Sequence, residues 1–210
     1  AIATSRTPAI QGANDRIRIG FIGVGNRGTQ LLTTFQSFRN VEIAALCDVY
    51  EPYLARDRSR VDRKLIRELG GLVPPMDEGL GDSVLRFKDF RALLDVKDLD
   101  AVVIATPDHW HAIQTIQACE AGKDVYVEKP LTITIREGRR MVEAAQRHNR
   151  IVQVGLQRRS SKLYREIREK FQEGAIGRVT VSRAYRISNM SCLLYTSPSP
   201  RDLSTSRMPS

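Results

Sequence analysis

From residue 16 onward, short apolar runs alternate with longer stretches whose apolar residues recur every three or four positions. The runs at 17–22, 41–47, 101–104, 124–127 and 151–154 are rich in Val and Ile and read as buried strands. Leu31 and Leu32 mark a helix after the first run. Ile113, Ile116 and Ala118 mark a second, and Ile135, Met141, Val142 and Ala145 a third. Strand and amphipathic helix in turn are the pattern of successive βα units, so the chain is predicted to be α/β, a doubly wound parallel sheet. Gly122 falls where a helix end favours a left-handed residue, just before the strand at Asp124. Residues 70–82, with paired glycines and prolines, read as a surface loop.

Beyond residue 155 the pattern changes. Leu163, Ile167 and Phe171 predict an amphipathic helix stopping near Gly174 and Gly177, and residues 179–185 alternate as a half-buried strand does. No partner strand follows, so these elements are expected to open a second, α+β domain that is truncated. The stretch from Cys192 to Asp202 has no periodicity, and it reads codon by codon as a translated transposase-type sequencing adapter. After Leu203, Ser204 and Thr205, which a barcode would cover, the adapter reading resumes over Ser206, Arg207, Met208, Pro209 and Ser210. The expected organisation is residues 1–15 as a disordered or signal remnant, 16–155 as a nucleotide-binding domain, 156–190 as the start of the second domain, and 191–210 as a non-native tail. Ala1, Ile2 and Ala3 suit the small-residue end of an export signal, which points to a periplasmic protein, and a frayed cytoplasmic terminus is the other reading.

Composition narrows the function class. Of 210 residues, 41% are hydrophobic and 27% charged, with 14 Gly, 9 Pro and 3 Cys, which excludes collagen-like, disordered and disulfide-scaffold chains. No apolar run approaches the roughly 18 residues of a membrane span, so no membrane partner is expected. The formal charge of +9 invites a nucleic-acid reading, yet residues 1–150 carry only +2 and residues 151–190 carry +6. The surplus sits around Arg158, Arg159, Lys162, Arg165, Arg168 and Lys170 with Tyr164 the one aromatic between them, so a solvated helix face is preferred to a polyanion groove. Cys47 and Cys119 lie in apolar stretches and read as buried thiols, and no metal site is expected.

The sequence Gly23-Val24-Gly25-Asn26-Arg27-Gly28 fits G-x-G-x-x-G between a strand and a helix. Gly23 allows a tight turn, Gly25 lets backbone approach a pyrophosphate, and Gly28 permits close helix packing, with Asn26 and Arg27 in the same cofactor-binding loop. The helix N-terminus supplies N–H groups to the phosphates. Asp48 follows the second strand, where its carboxylate accepts from adenosine ribose hydroxyls or caps the next helix; the first reading favours NAD over NADP.

Ala105-Thr106-Pro107-Asp108-His109-Trp110-His111 ends the strand at 101–104, and Glu128-Lys129-Pro130 ends the strand at 124–127. With the glycine motif these resemble the Gfo/Idh/MocA oxidoreductases, relatives of glucose-fructose oxidoreductase and inositol dehydrogenase, over residues 17–190. The resemblance implies a Rossmann domain in which Thr106, Pro107 and His111 line the pocket near the nicotinamide. Glu128 and Lys129 would lie beside the nicotinamide ribose and the reacting sugar carbon as catalytic residues, with Pro130 fixing the turn. Without the motif, Glu128 and Lys129 would read as an exposed pair. His109 and Trp110 read as packing or substrate-side residues. Gln157 and Arg159 are expected to point into the cleft, Gln157 as a further cofactor-binding residue, and Arg158 reads as solvated. The implied function is NAD-dependent hydride transfer with a sugar or cyclitol hydroxyl, with a full-length homo-oligomer as the working form. The alternatives are an NAD-dependent glycosidase of the same family and a non-catalytic dinucleotide-binding fragment.

Overall fold

The apolar runs form strands because each is bounded by turn-forming or polar residues; those at 17–22, 41–47, 101–104 and 124–127 are largely buried, whereas the run at 151–154 lies at the edge of the sheet and is only partly covered. In the computed structural model, which describes residues 16–68, 76, 79–81 and 83–184, six strands lie side by side. They are β1 (Ile17–Ile22), β2 (Val41–Cys47), β3 (Leu85–Phe87), β4 (Ala101–Ile104), β5 (Asp124–Glu128) and β6 (Val152–Gly155). All pair in parallel, in the order β3-β2-β1-β4-β5-β6. Strand order reverses between β1 and β4, so the crevice beyond their C-terminal ends is the place for a ligand.

The helices are α1 (Asn26–Gln36), α2 (Glu51–Leu54), α3 (Arg63–Glu68), α4 (Phe90–Leu94), α5 (His111–Glu120), α6 (Ile135–Arg147), α7 (Gln157–Ser160) and α8 (Lys162–Gln172). The chain divides into two compact units, Ala1–Val61 with Leu72–Leu156, and Asp62–Gly71 with Gln157–Ser210. The first holds the sheet with α1, α2, α4, α5 and α6; residues 62–71, counted in the sequence with the first domain, group with the second.

In the first unit the core is built from Ile22, Ala45, Leu93, Val102, Ile104, Ala118, Cys119, Val125 and Val127. Each large side chain buried there contributes about 2 kcal/mol. Helix α6 is started by a capping box, in which the Thr134 hydroxyl accepts from Glu137 N–H while the Glu137 carboxylate accepts from Thr134 N–H at 2.9 Å. Lys123 is buried and donates to the carbonyls of Val96, Lys97 and Leu99 at 2.9, 3.1 and 2.8 Å, closing the turn between α4 and β4.

Three expectations change. Strand β5 runs on to Glu128, and β6 starts one residue later than its apolar run, so that Glu128 pairs with Gly155 inside the sheet. Strand β3 has no counterpart among the apolar runs because it is a three-residue edge strand with Leu85 exposed. Residues 179–184 form no strand, since among the described residues nothing lies alongside to complete a ladder; Tyr185 lies outside the described residues. The helix expected from Leu163, Ile167 and Phe171 is present as α8, with none of its residues buried. In α6 Met141 and Ala144 face the core, whereas Ile135 and Val142 are exposed. Residues 1–15 and 191–210, and residues 70–82 apart from 76, 79–81, lie outside the described residues. Among those described, no helix is long and apolar enough to cross a membrane.

Candidate functional site

The turn between β1 and α1 is shaped by approaches that only glycine tolerates. Gly23 has φ +85°, its N–H donates to the Cys47 carbonyl at 2.8 Å, and a Cβ there would lie 2.8 Å from the Thr106 nitrogen. A Cβ on Gly28 would collide with the Gly23 carbonyl oxygen. No side chain caps α1, so its first N–H groups remain available to an anion. Asn26 accepts from Gln30 within the helix at 3.3 Å.

Two charged side chains hold this turn. Asp48 accepts Val24 N–H on Oδ2 and Tyr50 N–H on Oδ1, both at 2.9 Å. Burial pushes the Asp48 carboxyl above the usual aspartate value, opposed by the Tyr50 and Val24 N–H groups and by the Arg56 charge. Arg56 donates through Nη1 to the Val24 carbonyl at 2.8 Å and through Nη2 to the Thr29 hydroxyl at 2.9 Å. Thr29 in turn donates to the same Val24 carbonyl at 3.0 Å.

The second half of the site lies at the ends of β4 and β5. The Thr106 hydroxyl donates to Gln114 Oε1 at 2.6 Å, and Pro107 is exposed. His111, 1% exposed, places Nδ1 2.7 Å from the Pro130 carbonyl and Nε2 2.8 Å from the Thr106 carbonyl. Glu128 is buried; its Oε1 accepts from Arg27 Nε at 2.7 Å and its Oε2 from Lys129 N–H at 3.1 Å. The Lys129–Pro130 bond is cis. The Lys129 side chain is exposed, and its ammonium makes no hydrogen bond or ion pair among the described residues. Thus the Arg27 guanidinium, projecting from the glycine turn, ties that turn to the loop that carries Lys129.

The structure gathers Gly23, Gly25, Asn26, Arg27, Gly28 and Asp48 at the ends of β1 and β2, and Thr106, Pro107, His111, Glu128 and Lys129 at those of β4 and β5. His111 is a buried strut between two backbone carbonyls, with both ring nitrogens engaged. Glu128 is buried, with one oxygen accepting from Arg27 and the other from Lys129 N–H. Gln157 is exposed in α7 and belongs to the second unit. His109 and Trp110 are exposed, with Trp110 edge-on to Phe90. Sequence reading missed Arg56, Thr29 and Gln114. The only local signal for the last two is a polar residue on a helix face that is otherwise buried. Among the described residues no three His, Cys, Asp or Glu side chains gather as a metal site.

Comparison with known proteins bears on this arrangement. A family model described as "Oxidoreductase family, NAD-binding Rossmann fold" (Gfo/Idh/MocA) matches residues 17–156. A curated relative from Shewanella putrefaciens, named glycosyl hydrolase family 109 protein, is 35% identical over 133 residues, which are 63% of this chain and 27% of that protein. The solved myo-inositol 2-dehydrogenase of Lactobacillus plantarum aligns with TM-score 0.61 at 25% identity, over 78% of this chain and 43% of that one. Scyllo-inositol dehydrogenase of Lactobacillus casei, solved with NAD(H) and scyllo-inositol, aligns with TM-score 0.63 at 26% identity, over 79% and 43%. The chain therefore matches less than half the length of each of these relatives.

Proposed function

Since the chain belongs to the Gfo/Idh/MocA oxidoreductases, we propose that it binds NAD along the C-terminal edge of β1, β2, β4 and β5 and serves hydride transfer with a sugar or cyclitol hydroxyl. The observation that carries this reading is the uncapped α1 N-terminus behind a turn that a Cβ at Gly23 or Gly28 would block. That cradle fits a pyrophosphate, and the ionised Asp48 beside it accepts ribose hydroxyls and repels the extra phosphate of NADP. Bound NAD supplies the hydride acceptor. The chain's own part at the other end is electrostatic: the Lys129 ammonium donates to the substrate oxygen and stabilises the negative charge that develops there as a general base takes the hydroxyl proton and the hydride leaves carbon for the nicotinamide. Glu128, Arg27 and His111 hold the Lys129 loop in place for this.

A panel of cyclitols and sugars is offered to the full-length protein with NAD or NADP, and NADH formation is followed. NAD-dependent oxidation of a cyclitol or sugar, cut about 100-fold or more in Lys129→Met, is the expected result. Equal use of NADP, or full activity in Lys129→Met, overturns the respective part. A second reading, an NAD-dependent glycosidase, is favoured by the relatives named glycosyl hydrolase family 109, which are 34–35% identical. Release of free sugar from a glycoside without net NADH accumulation selects it.

A further inference from the structure

Arg56 is the one non-glycine residue near the glycine turn held at a left-handed φ, 58°. A long side chain in that conformation strains the backbone. What the guanidinium gains there is two short hydrogen bonds, to the Val24 carbonyl and to the buried Thr29 hydroxyl, and a longer one at 3.3 Å to the Tyr53 carbonyl. Thr29 repeats the contact to Val24 from inside α1. On the other side of Val24, its N–H is held by Asp48. The two peptide units flanking Val24 are thus gripped by side chains of opposite charge.

The consequence follows from peptide planarity. In a trans peptide the N–H points opposite to the C=O. Holding the Val24 carbonyl on Arg56 and Thr29 therefore turns the Gly25 N–H away from them, and that N–H donates to nothing among the described residues. Gly25 is the glycine at which backbone approaches a pyrophosphate in this motif. A peptide flip here would present a carbonyl oxygen to the phosphates in place of a donor.

We propose that Arg56 is a positioning residue of the dinucleotide site: its guanidinium fixes the Val24–Gly25 peptide so that the Gly25 N–H faces the pyrophosphate. This rests on the NAD-binding reading above and deepens it. Arg56 acts on the diphosphate and leaves the adenosine contacts largely untouched, which separates it from a residue that merely supports the fold.

The test uses the full-length protein, with NADH binding followed by fluorescence and with ADP-ribose and adenosine as competitors. Arg56→Gly removes the guanidinium and suits the left-handed backbone, so its Tm should equal or exceed that of the wild type. It should bind NADH and ADP-ribose about tenfold more weakly, the loss of roughly one charged hydrogen bond, while adenosine, which carries no phosphate, stays within about twofold. Arg56→Lys should recover part of the loss. If Arg56→Gly melts below the assay temperature, Arg56→Lys carries the test and must still bind ADP-ribose more weakly than wild type with adenosine unchanged. Wild-type NADH affinity in the tested variant, or an adenosine loss equal to that for ADP-ribose, overturns the inference alone. A wild type that takes up no NADH overturns the dinucleotide reading together with it.

Discussion

The two ends of the crevice are built on opposite plans. At the ends of β1 and β2, the charged groups Asp48 and Arg56 are bound to backbone, and what the turn leaves for a ligand is mainly N–H groups at the start of α1. At the ends of β4 and β5, the buried groups His111, Glu128 and Gln114 are all engaged, and two charged side chains, Asp108 and Lys129, project without a partner among the described residues. The first end is a preformed template whose selectivity lies in shape; the second is a frame around exposed charged groups, of which Lys129 is the cation. Arg27 joins them by crossing to Glu128. Binding and chemistry should therefore fail separately when residues at the two ends are changed.

The largest effect is expected at the template. Gly28→Ala places a methyl against the Gly23 carbonyl oxygen, and neither backbone segment can move without opening the turn. NADH affinity should fall about 100-fold or more, read by fluorescence titration of the full-length protein. Retention of wild-type affinity would show that the turn adapts and that its shape selects nothing. At the frame, the corresponding change is Glu128→Ala, which removes the acceptor shared by Arg27 and Lys129 N–H. Because Arg27 is 37% exposed, solvent recovers part of the loss, and destabilisation of about 2 kcal/mol is expected in urea unfolding.

A smaller effect separates the ends by pH. Burial raises the Asp48 carboxyl above the usual aspartate value of 3.8. On acidification it therefore takes up a proton earlier than an ordinary aspartate, and NADH affinity should begin to fall at a pH above that value. The sign for stability is the reverse: a raised carboxyl favours the fold when protonated, and that contribution is lost as pH rises through its folded value. Asp48→Asn should flatten the acid limb of NADH affinity, and an unchanged limb would place the titrating group elsewhere.

How much of this was legible in the sequence depends on the range of the interaction. The buried strands announce themselves because parallel strands with both faces covered are continuous apolar runs, and β1, β2 and β4 begin and end where those runs do. The glycine turn is legible from its motif, although only Gly28 answers to a contact within the turn, while Gly23 meets the distant Ala105 and Thr106 and Gly25 meets the Tyr53 ring. The edge strand β3 carries no such run. Arg56 reaches the Val24 carbonyl across 32 positions, and His111 reaches the Pro130 carbonyl across 19. Side-chain bonds to distant backbone leave no periodicity, so the grip on the template and the strut in the frame became visible only in three dimensions. Helix α8 shows the converse: an amphipathic pattern identifies the face that seeks a partner without showing that the partner is present among the described residues.

The smallest effect expected is on stability, at Lys129. Its side chain is exposed, and its ammonium engages nothing among the described residues, so Lys129→Met removes no contact that the frame depends on. The Lys129 N–H that donates to Glu128 belongs to the backbone and survives the substitution. Tm should stay within about 2 °C of the wild type, as for a surface change within roughly 0.5 kcal/mol, and NADH affinity within about twofold. The same variant is the one expected to lose turnover, so the measurement pairs a silent melting curve with a silent binding curve and a lost reaction. A marked fall in Tm would mean that Lys129 is part of the frame, and the division between anchors and reacting group at the ends of β4 and β5 would then have to be redrawn.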